Sequence, residues 1–586
     1  MNFADADDKI ILKGSAAMTT VKKDALIAEI TEICARSGRA EAELLSTEPA
    51  PFRNLFSPYQ LVDIPLPNRC LIAPKTMVGG SFVPNDIARR FYLARAEAGL
   101  LTTGPLSTGR DSDPLLLQRW MSLNERLHAK GAHILLQLQP DGTVKHALSL
   151  ASAGAAAGFD GACIDARIQD DALTQIVREI RARLGSGFLI LCRVSLSSAV
   201  PESGLKPKKN GRYRGLAEQL ERMTELARAG TDGLEVSIGC PETPWLLSPA
   251  SQLPAGCFAE ASRALKAHFR VLGIRSAVIA SGRLSDPGLA EALLKQGYCD
   301  LVSLDGAGIG DTAWFRKAAT GQEETICPCA LPLYPLSPEK ERIAVIGAGC
   351  RGLNYALQAA DAGHSVDLYE ERLRPGGDLA LFPSSAAEVK KELLAYLLEE
   401  LKKRPQIRLR TGTRADAELL KKGAYDRIVF ACRPEAVSTP AVQGWGEIPF
   451  ITAESLEEAF SGQWKKKRIA VLGSDDLACD IAWALQNDGQ VRRCVLLTDK
   501  PAVMSGETEE DRAWFMHHFR QRGGQMMTGQ QISRIRFHTI FTEDPISGEE
   551  GHVRCDLIVL AQREPAPLRP YEEAVRERLA PQIQIL

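Results

Sequence analysis

The chain has 586 residues, 45% hydrophobic and 25% charged, with a formal net charge of −2. This is an ordinary globular profile with room for roughly two to four domains, and the lack of a basic excess excludes nucleic acid as the expected partner. No apolar run reaches the ~18 residues of a membrane helix, and the opening MNFADADDKIILKG lacks the basic-then-apolar order of a secretory signal.

The expected setting is therefore the cytoplasm, without membrane insertion, and most of the 14 cysteines are expected to be reduced core thiols. Residues 1–50 read as a polar lead and an amphipathic helix with Leu26, Ile27, Ile30 and Ile33 on one side. This N-terminal extension is expected to pack on the body or on a partner.

Residues 51–325 alternate short apolar runs with helical stretches. The runs are CLIAP (70–74), LLTTG (100–104), HILLQL (133–138), GACID (161–165), FLILCRV (188–194), GLEVSI (233–238), SAVIA (276–280) and DLVSL (300–304). Strands alternating with helices argue for a parallel sheet, and this number of them argues for a closed (β/α)8 barrel. Such barrels work at the C-terminal ends of their strands, where this chain offers Ala73-Pro74-Lys75-Thr76, Gln137, Arg193 and Ser281-Gly282-Arg283. His133, which opens a strand, reads as a packing residue.

Residues 326–340 form a proline-rich linker containing Cys327-Pro328-Cys329. In the run RIAVIGAGCRG (342–352), an apolar strand meets Gly347-x-Gly349-x-x-Gly352, a helical stretch follows, and the next apolar run, Ser365–Tyr369, ends in Glu370. Strand, glycine pattern, helix and acidic residue together make the dinucleotide fingerprint in its required context. The helix N-terminus is suited to a pyrophosphate and Glu370 to a ribose hydroxyl.

A second strand–turn–helix, KRIAVLGSDDLACD (467–480), keeps Gly473 but has Asp475 and Ala478 at the next two glycine positions. It reads as a Rossmann half that no longer binds NAD(P)H. The fold class is thus α/β, a TIM barrel followed by Rossmann-like domains. The first of these, FAD-type, is expected over 341–465 and 555–586, and the degenerate NAD(P)-type domain over 466–554.

LFSPYQLVDIPLPNRCLIAPKT (55–76), followed by this order of segments, resembles the Old Yellow Enzyme group, and in particular its 2,4-dienoyl-CoA reductase and trimethylamine dehydrogenase branch. The resemblance covers about residues 52–586. It implies FMN held by Pro74, Lys75 and Thr76, with Gln137 and Arg193 against the ring and the phosphate at Gly282 and Arg283. It also implies FAD at Gly347, Gly349, Gly352, Glu370 and Gly377, the last within Arg374-Pro375-Gly376-Gly377-Asp378-Leu379, which resembles the family's LGGQL turn.

The chain departs from the family pattern at functional positions. The run QLxHAGR is here Gln137-Leu138-Gln139-Pro140-Asp141-Gly142-Thr143. Asp165 runs through Ala166-Arg167 toward the next helix without the loop that would bear a tyrosine proton donor. The phosphate arginine after the eighth strand is Gly306, beside Asp305. Only Cys327 and Cys329 stand where four cysteines would hold a [4Fe–4S] cluster, so no cluster and no other metal is expected. Arg433 replaces the glycine of an ATG turn. The run LAPQIQIL reaches Leu586 before the Gly-Asp turn and closing helix of the family, so the FAD site is expected to keep its adenosine diphosphate half and to lack its other wall.

Two functions follow. One is a degenerate, non-catalytic or electron-relay subunit in a homo- or hetero-oligomer with an active paralogue. The other is an active FMN/FAD oxidoreductase that reduces an activated C=C bond with electrons from NADH or a partner protein. No catalytic residue is assigned.

Overall fold

A computed structural model of the chain describes residues 48–74, 84–106, 114–139, 143–167, 172–196, 216–239, 243–329, 331–332, 334–383, 388–432, 435–437, 439–456, 466–487, 491–565 and 569–586. Lys75, Thr76, Pro140, Arg433 and the apolar stripe at Leu26–Ile33 lie outside these residues. The chain divides into two compact units, Met1–Leu247 with Pro254–Ser303, and Ser248–Leu253 with Leu304–Leu586.

Each of the eight expected runs supplies one strand of a closed barrel. The strands are β1 (Cys70–Ile72), β2 (Leu100–Leu106), β3 (His133–Leu138), β4 (Gly161–Asp165), β5 (Leu189–Ser195), β6 (Gly233–Ser237), β7 (Ala277–Ala280) and β8 (Leu301–Leu304). Side chains alternate along a strand, so inward positions recur every second residue. Leu71, Leu100, Leu135, Cys163, Leu191, Ile279 and Leu301 fill the lower interior. A hairpin of Tyr59–Leu61 and Ile64–Leu66 precedes β1, and its Leu61 and Leu66 join this cluster. Two residues further along the strands the interior turns polar, with Thr102, Gln137, Asp165, Arg193, Glu235 and Ser303.

At the opposite, N-terminal end, Asp160 ties three groups together. It meets His133 Nδ1 at 3.0 Å and His128 Nε2 at 2.9 Å, and it accepts from the Ile134 N–H at 2.8 Å. The hydrogen bond to Asp160 raises the His133 pKa above its ordinary 6.5, against the opposing effect of burial. Burial pushes the Asp160 carboxyl up, but bonds from His133, the Ile134 N–H and His128 outweigh it and hold it below 3.8. A raised histidine stabilises fully below its unfolded pKa and loses that contribution as pH rises through its folded value; a depressed aspartate loses its contribution as pH falls through its own. The tie is therefore strongest between these limits. Stability measured by urea unfolding should fall between about pH 6 and pH 8, and His133→Phe should flatten that slope. An unchanged slope would exclude the tie as its source.

The second unit holds two parallel sheets. The first has the order β11-β10-β9-β12-β18, from β9 (Arg342–Ile346), β10 (Ser365–Tyr369), β11 (Ile407–Arg410), β12 (Arg427–Phe430) and β18 (Gln582–Ile585). The second has the order β13-β17-β14-β15-β16, from β13 (Phe450–Thr452), β14 (Arg468–Leu472), β15 (Arg493–Leu497), β16 (Gln525–Met527) and β17 (Leu557–Leu560). Helices α1 (Cys350–Asp361), α2 (Glu388–Lys402), α3 (Asp476–Asn487) and α4 (Glu509–Gln521) are the ones that frame the sites below. On α1, Leu353, Ala356, Leu357 and Ala360 make one face that packs with Ile343 and Val345 of β9.

The structure draws the segment limits differently from the sequence. Leu557–Leu560 was expected in the first Rossmann domain but pairs with Phe450–Thr452 and β14 in the second sheet. An apolar four-residue strand fits either sheet, and only pairing decides. The first compact unit ends at Ser303, and the residues from Leu304 on pack with the second. The Asp311 carboxylate accepts from Lys317 Nζ at 2.7 Å and from the Cys327 N–H at 2.9 Å, which ties this stretch to the linker.

Candidate functional site

The turn after β9 is shaped by glycines. Gly347 has φ +99°, and a Cβ there would lie 3.0 Å from the Cys432 nitrogen. A Cβ on Gly352 would lie 1.9 Å from the Gly347 carbonyl oxygen, so α1 approaches the turn more closely than any other residue permits. Gly349 differs. Its φ is −74°, and the nearest atom to an added Cβ is Gly377 Cα at 3.9 Å. The space between Gly349 and Gly377 is a cradle that a methyl group would occupy. Gly376 lines up with Gly349 in a bridge, and its N–H donates to the Ala348 carbonyl at 2.8 Å. Gly349 caps α1 without a side-chain bond, leaving the helix N-terminus to a ligand.

Glu370 is buried. Its carboxylate accepts from the Ala348 N–H at 2.8 Å and the Arg372 N–H at 3.0 Å, which fixes it at the rim of the turn. The structure thus brings Gly347, Gly349, Gly352, Glu370 and Gly377 to one place. Open cradle, uncapped helix and acidic rim fit the adenosine diphosphate half of FAD.

The second glycine turn is closed. Asp475 Oδ1 accepts from the Ala478 N–H at 2.9 Å and caps α3 with the chain's own carboxylate. A Cβ on Gly473 would lie 2.8 Å from the Ala478 Cβ, and the Ser474 carbonyl accepts from the Met504 N–H at 2.7 Å. A pyrophosphate would have to displace this cap and face Asp475 and Asp476. These residues do not fit NAD(P)H.

In the barrel, Asp165, Arg193 and Glu235 are register partners on adjacent strands. The Arg193 guanidinium lies 3.2 Å from Glu235 and 3.7 Å from Asp165, and Asp165 also takes Arg167 at 2.6 Å. Burial works against the Arg193 charge, but Glu235 and Asp165 outweigh it and hold the guanidinium protonated. Burial likewise raises Asp165, but its bonds and charge contacts with Arg167, and the charge of Arg193, bring it below its ordinary value. Sequence reasoning named Arg193 and missed Glu235, although the two-residue step from Gly233 marks it as inward.

Five atoms of this ring are buried without partners: Thr102 Oγ1, Gln137 Oε1, Arg193 Nε, Glu235 Oε2 and Ser303 Oγ. Unspent donors and acceptors side by side fit a planar group with both N–H and C=O on its edge, such as the FMN ring. Pro74 ends the described stretch after β1, half-buried. Gly282 and Arg283 have φ +101° and +56°, and the ring of Phe258 fills the side of Gly282 that a Cβ would take, at 2.8 Å. The ring contacts therefore fit.

Cys327 Sγ donates to the Cys329 carbonyl at 3.2 Å. Burial pushes these thiols up to about 11 and about 12, so both stay protonated near neutral pH. Among the described residues no group of three or more His, Cys, Asp or Glu could hold a metal ion. This pair does not fit a four-thiolate cluster. Among the same residues no helix is long and apolar enough to cross a membrane.

The site thus lies in a chain built as a closed (β/α)8 barrel followed by a Rossmann sheet with an open glycine cradle. Residues 341–568 match the pyridine nucleotide-disulphide oxidoreductase family. NADH oxidase of Thermoanaerobacter brockii is 25% identical over 422 residues, 66% of this chain and 61% of that protein. Bilirubin reductase of Mediterraneibacter gnavus is 26% identical over 317 residues, 48% of this chain and 47% of that one. The chain thus spans about half to three-fifths of the length of these relatives. The structure of 2-naphthoyl-CoA reductase in complex with 2-naphthoyl-CoA shares the fold with a TM-score of 0.70 at 16% identity, over 91% of this chain and 96% of that one. The chain is thus similar in its second half to the pyridine nucleotide-disulphide oxidoreductase family and in its whole fold to 2-naphthoyl-CoA reductase.

Proposed function

We propose that this chain is a flavin-binding, electron-relay or non-catalytic subunit that works beside a catalytically complete relative. It holds the adenosine diphosphate half of FAD on the first Rossmann sheet and takes no electrons from NAD(P)H by itself. The contrast between the two glycine turns carries the reading. At Gly349 the helix N-terminus is uncapped and faces a cradle; at Asp475 the same position is filled by a carboxylate bonded to the helix's own N–H. A bound flavin supplies hydride and single-electron transfer. The chain's residues contribute the close approach at Gly349 and Gly377, the acidic rim at Glu370, and a second sheet shut to the nicotinamide donor.

The purified full chain is expected to show visible flavin absorption that dithionite bleaches and NADH, without oxygen, does not. Prompt bleaching by NADH, or the absence of flavin bands, would sink this reading.

The unspent ring atoms in the barrel favour a second reading, an active reductase of an activated C=C bond. Gln137 Oε1 and Arg193 Nε would meet the edge of an FMN ring, and the name 2-naphthoyl-CoA reductase points to an unsaturated acyl thioester as substrate. Two flavins per chain, with turnover of an enoyl thioester, would favour it over the first.

A further inference from the structure

Besides its two parallel sheets, the second unit carries a small antiparallel sheet of Gln531–Arg536, Thr539–Glu543 and Glu550–Arg554, in that order. Residues directly opposite in an antiparallel pair share a face. Ile535, Ile540 and Val553 stand opposite one another and are buried with Ile448, Val495 and Leu497. The other face is open and falls into three rows. The first bears Arg536 and Arg554, the second Arg534, Phe541 and His552, and the third Glu543 and Glu550. Phe541 is half-buried and the charged side chains are exposed.

One end of this face is therefore basic and the other acidic. Among the described residues, none of Arg536, Arg554, Glu543 and Glu550 has an ion-pair partner. Glu543 and Glu550 stand directly opposite each other, and like charges so placed are destabilising until a cation joins them. A polyanion would have to cover these carboxylates, which disfavours nucleic acid as the occupant.

The pattern is self-complementary. Successive rows are ~7 Å apart, so the first and third lie equally far from the second. A second copy turned over about an axis across the strands, through the middle row, sets each first row on the other's third row. Arg554 then faces Glu550 of the second copy, Arg536 reaches its Glu543 diagonally, and Phe541 meets Phe541. Arg534, stacked 4.6 Å from its own Phe541 ring centre, meets its counterpart on an edge strand, where water screens the like charges.

The turns obey the same symmetry. Phe537 is 76% exposed at the turn beyond the first row, and Ile546 is 96% exposed at the turn beyond the third. Both are pinned in place. Phe537 and His538 have φ +49° and +57°, and the Phe537 N–H donates to Glu447 at 3.2 Å. The Ile546 N–H donates to Asp544 Oδ1 at 2.8 Å. The same rotation lays Phe537 over Ile546 of the second copy.

We propose that this face is the contact between two copies of the chain in an isologous dimer. Three strands ~4.8 Å apart and roughly 25 Å from turn to turn give about 350 Å² of face per copy, small for a permanent dimer. The association is therefore weak and governed by its charges. It is independent of the flavin reading.

Sedimentation velocity of the full-length chain at low salt is expected to show a dimer that grows in with concentration up to about 100 µM, and about 0.5 M NaCl should weaken it at least about fivefold. Arg536→Glu with Arg554→Glu makes both end rows acidic, and Glu543→Arg with Glu550→Arg makes both basic. Each variant alone should stay monomeric. An equimolar mixture of the two should recover the dimer, because every acidic row then meets a basic one. Circular dichroism of each variant checks its fold beforehand. A wild-type chain that is monomeric at about 100 µM, a salt-independent dimer, a variant that dimerises as well as wild type, or a mixture that fails to pair overturns the proposal. A monomeric wild-type chain that binds poly-glutamate would instead assign the basic end to an acidic partner.

Discussion

Replacing Gly352 with alanine is expected to destabilise the chain by about 3 kcal/mol or more and to remove its flavin. The added Cβ would sit 1.9 Å from the Gly347 carbonyl oxygen, a backbone atom that cannot rotate aside. Helix α1 must then move off β9, which opens the packing of Leu353 and Ala356 and pulls the helix N-terminus from the cradle. Gly349→Ala is the informative partner. There φ is −74° and the nearest atom to the new Cβ is 3.9 Å away. Alanine fits without strain, so stability should hold or rise by up to about 1 kcal/mol, while the methyl group fills the space where the proposed pyrophosphate would lie. Thermal unfolding and visible absorption of both variants give the readout. Gly349→Ala with undiminished flavin would place the cofactor elsewhere, and a Gly352→Ala chain as stable as wild type would contradict the close approach.

Arg193→Met is expected to cost about 3–5 kcal/mol, because it leaves a carboxylate buried without its cation. Asp165 keeps Arg167 at 2.6 Å, so the unpaired group is Glu235. The variant can relieve the buried charge only by taking up a proton there. Such a group is least costly at low pH, so the loss should shrink as pH falls from about 7 to about 5. The double variant Arg193→Met with Glu235→Gln should recover at least about 2 kcal/mol of the loss. Urea unfolding at the two pH values decides. A loss independent of pH and not recovered by Glu235→Gln would mean that Arg193 acts by shape alone.

Local sequence carries a good deal of this molecule. The eight apolar runs became the eight barrel strands because a strand buried on both faces needs a continuous run of Val, Ile, Leu and Ala. Gly347 and Gly352 were legible because positive φ and backbone contact exclude every other residue. The capped form of the second turn was also visible, since Asp475 stands where a glycine would let a phosphate approach. Strand membership was less legible: Leu557–Leu560 has nothing in its side chains to choose one parallel sheet over the other.

By itself the sequence determined the order of elements, the glycine turn and, at the ends of the barrel strands, Gln137 and Arg193. All of these follow from backbone sterics and from the period of two along a strand. Only the tertiary structure decided which charges meet. Asp165, Arg193 and Glu235 span 70 residues of sequence and become neighbours because barrel closure sets one register for β4, β5 and β6. Burial and electrostatic pairing act through space, so a site of this kind exists only once the sheets have packed.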